Sequence, residues 1–203
     1  MKKLSNRIWK ICLISIVFIL PYIFFKPILS GQTHFESKDQ IVMILAGTST
    51  LHDWEMRSTS ATCEASFVLS SSGNLERLNT LTFSTPVKSL KSGKGGMDKN
   101  AYKALNAEEY SLIKATLKSA EISPINERTY NVDCIINLTI AGSTQETPLK
   151  TTAVINADQT ISVQGQKVIS MRDYGVDPPS FMLGTVRTGN DVTLTFNIKL
   201  FQK

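Results

Sequence analysis

Histidine and cysteine are scarce in this chain. Its 203 residues hold two His and three Cys, the side chains on which most metal centres and many nucleophilic sites depend. No C-x-x-C, H-x-H or H-x-x-x-H spacing occurs, so no metal site is assigned. A Ser-His-Asp triad would have to use His52, whose chain neighbour is Asp53, and no G-x-S-x-G elbow is present. His34 stands just after an N-terminal leader, where a poorly ordered segment is expected. His52 reads instead as a hydrogen-bonded residue at a strand entrance. The G-x-x-x-x-G-K-[ST] signature of nucleotide binding is missing as well. No catalytic residue and no cofactor emerge from this inventory, which argues against an enzyme.

Excess charge is lacking too, once the leader is set apart. Five of the 22 Lys and Arg (Lys2, Lys3, Arg7, Lys10, Lys26) and none of the 17 Asp and Glu fall within residues 1–31, which leaves 17 of each sign. The calculated pI near 9.1 therefore comes from the leader. A nucleic-acid footprint would need clustered basic residues, so no nucleic-acid partner is expected. Internal repeats and low-complexity tracts are absent.

The leader has a basic start, an apolar run from Ile11 to Phe25 and small residues at Ser30-Gly31. That pattern is a secretory signal peptide over 1–31, followed by one domain over 32–203. The alternative is an uncleaved anchor, but a spanning helix needs ~20 apolar residues, and Pro21 and Lys26 interrupt this run. A periplasmic or secreted location is expected, membrane-anchored if the leader stays. Cys12 leaves with the leader. Cys63 and Cys134 then meet an oxidising compartment and could form one disulfide, which sequence alone does not decide.

Strand patterns fill most of what is present. Ala61, Cys63, Ala65 and Phe67 alternate with polar residues, and so do Tyr130, Val132, Cys134, Ile136, Leu138 and Ile140. Ile41–Ala46, 78–84, 151–155, 160–170 and 192–200 continue the series, with turns expected at 141–143 and 188–190. About eight strands at this spacing suggest a sandwich or an up-and-down barrel. One short helix interrupts them over 98–106, with Asp98 as its N-cap and Met97, Ala101 and Leu105 on one face. A helix that short must pack on something apolar, and the barrel mouth is the available surface. It is either a mobile lid hinged at Gly93, Gly95 and Gly96 or a fixed plug. Trp54 reads as a structural residue closing a barrel end, with a ligand-pocket wall as the alternative. Lys91, Lys94, Lys99 and Lys103 form a solvated loop and helix face, or a weak site for a phosphate head group.

Two stretches carry a resemblance. Gly47-Thr48-Ser49-Thr50-Leu51-His52-Asp53-Trp54-Glu55-Met56 follows a Gly-Thr-Ser-x-x-His-x-Trp pattern, and Val87 to Leu105 is a strand end, a Gly/Lys loop and a helix. With Tyr110–Lys118, Leu138–Thr144 and Ile169–Val176 in order after them, the chain over about residues 38 to 200 resembles the YceI-like family. The resemblance implies an all-β fold: an extended antiparallel eight-stranded lipocalin-like barrel with one short helix. It implies a polyisoprenoid, or an isoprenoid quinone, held inside the barrel by a carrier or sequestering protein. The alternatives are a structural or interaction domain with a packed barrel, and a quinone-handling partner of a membrane-envelope redox protein. Within that frame, alternation puts Phe67, Phe83, Ile113, Leu117, Ile136, Leu138, Phe181 and Phe196 on the ligand, with Leu105 above it from the helix. Two positions depart from the family pattern. Ser111 stands where Pro is usual, and Ala115 where Phe is usual, so the pocket is expected to differ in shape.

Overall fold

The computed structural model describes residues 31–181 and 183–203. The leader therefore lies outside the described residues, Gly31 apart. Ten strands follow: β1 Gln32–Ser49, β2 Trp54–Ser58, β3 Thr62–Leu69, β4 Leu75–Pro86, β5 Leu112–Pro124, β6 Thr129–Ile140, β7 Ser143–Ile155, β8 Ile161–Ser170, β9 Ser180–Phe181 and β10 Val186–Gln202. One helix, α1, spans Gly95–Ala104 between β4 and β5. Single 3-10 turns lie at Val87–Ser89 and Met171–Tyr174.

Eight strands close a barrel in the order β1-β3-β4-β5-β6-β7-β8-β10, and β10 pairs back onto β1. Every pairing is antiparallel, as short hairpin loops require. Gln32–Glu36 of β1 pair with β3 and Met43–Gly47 pair with β2, so β2 extends the wall at one end. β1 runs for 18 residues, three times the usual strand length of about 5–6, which makes the barrel long for its girth.

Alternation decides what faces inward. On β6, Tyr130, Val132, Cys134, Ile136 and Leu138 are buried while Asn131, Asp133 and Ile135 are exposed. Bulges on β4 and β5 shift this parity elsewhere. On β4 the register slips beside Glu76 and again beside Asn79, so Leu75, Leu78 and the pair Leu81 and Phe83 all face in despite their unequal spacing. On β5 a slip at Lys118 changes the inward set from Ile113, Ala115 and Leu117 to Ala120 and Ile122. The β6–β7 hairpin turns on Ala141 and Gly142, at φ 47° and 79°, the pair of positive angles a two-residue type I′ turn needs. The Tyr110 ring lies where a Cβ on Gly142 would be, so glycine serves both the turn and the packing.

The two barrel ends differ. At one, Phe35 and Phe67 meet edge to face at 5.8 Å, and Leu75, Tyr130, Ile161 and Leu200 are buried. This end is closed by its own side chains. The other end, where β1 meets β2 and β6 meets β7, is covered by α1 and by the 171–181 segment.

Several sequence expectations are corrected. His34 is not in a loose segment: it lies in β1 with Nδ1 2.7 Å from the Ser66 hydroxyl. The helix starts at Gly95 rather than Asp98, so Gly95 and Gly96 are helical and only Gly93 remains in the loop. Asp98 is in the first turn, not the N-cap position held by Lys94. The expected turn at 188–190 is a continuous part of β10. Its Gly and Asn are there because Gly189 abuts Thr48 and the Asn190 amide bonds Ser170 Oγ at 2.9 Å.

Candidate functional site: two apolar cavities in the barrel

A cavity of about 320 Å³ lies under the covered end. That is within the ~300–1,000 Å³ of ordinary small-molecule pockets. Its roof is α1, which contributes Met97, Ala101 and Ala104, together with its C-cap residue Leu105. Its walls come from Trp54 and Met56 on β2, Ile113 on β5, Ile140 on β6, and Phe181 and Val186 on the β9–β10 hairpin. Polar atoms are confined to the rim, where Ser49, His52, Lys94, Asn100 and Thr188 stand.

A second cavity of about 120 Å³ lies deeper. Phe67, Phe83, Ala115, Ile136, Leu138 and Phe196 are among its lining. Leu45, Ile113, Ile140 and Ile169 border both cavities, so the two abut along the barrel axis. Ala115 explains part of the deeper space. It is buried, faces Phe83 and Leu138 across the ladders, and projects only a methyl group.

Of the nine residues singled out from sequence, Leu105, Phe181 and Ile113 border the upper cavity, and Phe67, Phe83, Ile113, Ile136, Leu138 and Phe196 the lower. Leu117 borders neither. It points inward but packs half-buried against the core just before the β5 bulge. Sequence reasoning missed the 171–179 segment, whose Met171, Tyr174, Val176 and Pro179 border the upper cavity. It has no strand periodicity, which is why alternation could not find it. Tyr174 and Val176 are nonetheless buried, and Tyr174 Oη shares a 2.9 Å hydrogen bond with Thr147 Oγ1 on β7.

Trp54 belongs to the pocket wall rather than to a sealed end. Its ring lies flat where Gly47 leaves room, and a Cβ on Gly47 would collide with it. Its indole N–H donates to the Thr48 carbonyl at 3.1 Å, which satisfies the one polar atom of the ring. His52 sits at the rim, with Nδ1 2.8 Å from the Asp53 carbonyl and its backbone N–H donating to Ser49 Oγ.

The loop into α1 is tied from within. Asp98 Oδ1 accepts from the Ser92 hydroxyl at 2.6 Å and from the Ser92 N–H at 2.8 Å. These bonds hold the Asp98 carboxyl below the usual carboxylate range. Tyr102 Oη donates to the Leu90 carbonyl at 2.7 Å, and Lys91 Nζ lies 5.2 Å from the Tyr102 ring centre. The lysines of this region therefore do not converge: Lys91 is held on Tyr102, and only Lys94 borders the cavity.

Cys63 and Cys134 are free and buried. Cys63 is on β3 and Cys134 on β6, with β4 and β5 between them. Three strand spacings of ~4.8 Å lie along the wall between them, whereas a disulfide needs Cα atoms within ~7 Å. Burial pushes the Cys63 thiol up to about 12 and Cys134 up to about 11. Among the described residues no group of three or more His, Cys, Asp or Glu is arranged to hold a metal. The geometry is that of a pocket that encloses apolar matter.

Solved structures share this architecture. BcnA of Burkholderia cenocepacia superposes with a TM-score of 0.63 at 14% identity, covering 80% of this chain and 98% of that one. A domain of Saccharophagus degradans, described as polyisoprenoid binding and implicated in plant cell wall breakdown, gives 0.63 at 11% identity, covering 85% and 100%. At such identities the likeness establishes the fold. Curated proteins yield no match to the chain. The family model named YceI-like domain matches residues 42–200, most of the barrel, and the chain belongs to that family.

Proposed function

We propose that this protein binds one long apolar molecule of the isoprenoid class in its barrel, as an exported carrier or sequestering protein. The observation that carries the reading is the pair of abutting cavities, about 320 and 120 Å³, walled almost wholly by apolar side chains. A barrel evolved only for stability would fill such space, since interiors pack to crystal-like density and unfilled volume costs ~24 cal/mol per Å³. An apolar chain would recover that cost, gaining ~0.8 kcal/mol for each methylene-sized group buried. The rim carries few polar groups, so recognition rests on shape and length. The polyisoprenoid-binding description of the Saccharophagus neighbour supports the same class. An isoprenoid quinone fits the same chemistry and would connect the protein to membrane redox partners. Export rests on the leader pattern of residues 1–31.

The test is native mass spectrometry and organic extraction of protein purified from its own envelope. An isoprenoid or similar lipid released at about one per chain is the expected result. Protein that carries no lipid, and takes none up from an added polyprenol, would overturn the reading in favour of a packed structural barrel.

A further inference from the structure

The barrel wall has a window between β7 and β8. These strands pair only from Thr151↔Gly165 to Ile155↔Ile161, although β7 begins at Ser143 and β8 runs on to Ser170. Beyond Thr151↔Gly165 no ladder joins the two strands. The wall is joined again where Thr147 Oγ1 meets Tyr174 Oη at 2.9 Å and where Gln145 Nε2 donates to the Asp173 carbonyl at 2.9 Å. The stretch from Thr147 to Thr151 spans ~13 Å of strand.

Two inward positions face each other across it, Leu149 on β7 and Lys167 on β8, and both border the lower cavity. Among the described residues, Lys167 is the only charged one in that lining. Its parity is that of Val163 and Ile169, both facing the core cluster, so the lysine occupies a core position by alternation. It is half-buried. Among the described residues no carboxylate forms an ion pair with its ammonium. Nearby charges are engaged elsewhere or face outward: Glu146 is paired with Lys118, and Lys150 and Arg172 are exposed. A lysine at an inward position normally sends its ammonium to water along an apolar stem, and the window supplies that route. The side chain thus joins the deep cavity to the outside at a point where the wall has no ladder.

From this juxtaposition we infer that the β7–β8 window is a head-group site. An amphiphile whose chain lies in the cavities presents an anionic group, carboxylate or phosphate, to Lys167 Nζ. The inference rests on the apolar-ligand reading above and adds the charge and the exit point of the ligand. Lys94, which borders the upper cavity and not the lower, is the competing cation. The window is preferred because Lys167 holds an inward site that an apolar residue would otherwise fill, whereas Lys94 is an exposed loop residue.

Equilibrium dialysis of the full chain against chain-matched probes tests this: farnesol with farnesyl phosphate, and hexadecanol with palmitate. The wild-type chain should prefer the anion of at least one pair by about tenfold, the size of one charge-assisted hydrogen bond at a half-exposed position. The pair that shows the preference identifies phosphate or carboxylate. Lys167→Met keeps the apolar stem and should abolish the preference while leaving alcohol binding unchanged. Lys167→Arg should keep it, which guards against a Met variant that misfolds, and Lys94→Met should not alter it. A wild-type chain that binds alcohol and anion equally overturns the head-group site but leaves the apolar pocket standing. So does a preference that survives Lys167→Met or disappears with Lys94→Met. Failure to bind any of the four probes overturns both readings.

Discussion

Replacing Ala115 by Phe should exchange binding capacity for stability. Ala115 is buried between Phe83 and Leu138, and its methyl borders a void of about 120 Å³. An engineered cavity of ~150 Å³ accepts benzene, so a phenyl ring at 115 would occupy nearly all of this one. At ~24 cal/mol per Å³, filling the full 120 Å³ is worth at most about 3 kcal/mol. Strain from fitting a ring between two existing side chains costs ~1 kcal/mol or more, leaving an expected gain of about 1–2 kcal/mol. For a domain of this size that is a rise in Tm of roughly 2–8 °C, read by circular dichroism on lipid-stripped protein. The same ring should remove the deep end of the pocket and cut the uptake of long-chain polyprenol, measured by extraction, while shorter chains still enter the upper cavity. A lower Tm together with undiminished uptake of the longest chain would refute the reasoning. Residue 115 would then not face the void, or the void would not hold ligand.

Three further outcomes follow from the same geometry. Leu105→Ala should speed ligand release several-fold while lowering global stability by less than ~2 kcal/mol; if amides of α1 exchange as slowly as those of the strands and release is unchanged, α1 is a fixed plug and not a lid. Gly47→Val should displace the Trp54 ring from the cavity wall and break its bond to the Thr48 carbonyl, costing ~1–3 kcal/mol with a red-shifted tryptophan emission; an unchanged spectrum contradicts the packing. Cys63 and Cys134 should resist a thiol reagent at pH 8 until the protein unfolds, and reduction should not change the alkylated mass. Because burial raises both thiols from 9.0, to about 12 and about 11, the unfolded chain ionises first. Stability contributed by these thiols is therefore fully present below pH 9 and declines as pH rises from there towards 11 to 12; because burial raises the Tyr174 phenol as well, a Cys63→Ala, Cys134→Ala variant should show a shallower alkaline decline rather than none, and a wild-type curve flat to pH 11 would contradict the burial.

Local alternation and turn chemistry were legible in the chain, and the structure shows how far they reach. The inward face of β6, the Ala141-Gly142 turn and the run from Val192 to Leu200 could all be read directly, because side-chain parity and positive φ are properties of neighbouring residues. Seven of the eight lining residues assigned by alternation border a cavity for that reason, and Leu105, assigned from the helix, borders one as well. Leu117 does not, because a bulge a residue later redirects the strand, and bulges leave no mark in a periodicity count. α1 extends beyond its sequence pattern because Gly95 and Gly96 argue for a loop by propensity, while the Asp98–Ser92 bonds and the packing of Met97 favour the helix.

What the sequence determined by itself was the inventory: a series of alternating strands, one short helix, a chain poor in groups for metal or nucleophile chemistry, and motifs shared with the YceI-like family. What only the tertiary structure decided depends on which residues meet across long separations. Closure of β10 onto β1 makes an interior from two ends of the chain. The 171–179 segment folds back to wall the mouth, and Ala115 falls opposite two large neighbours yet leaves a void. The β7–β8 ladder stops short and sets Lys167 in the gap. Parity says which way a side chain points; cavity volume and wall continuity depend on the register of eight strands at once, and no local pattern encodes that.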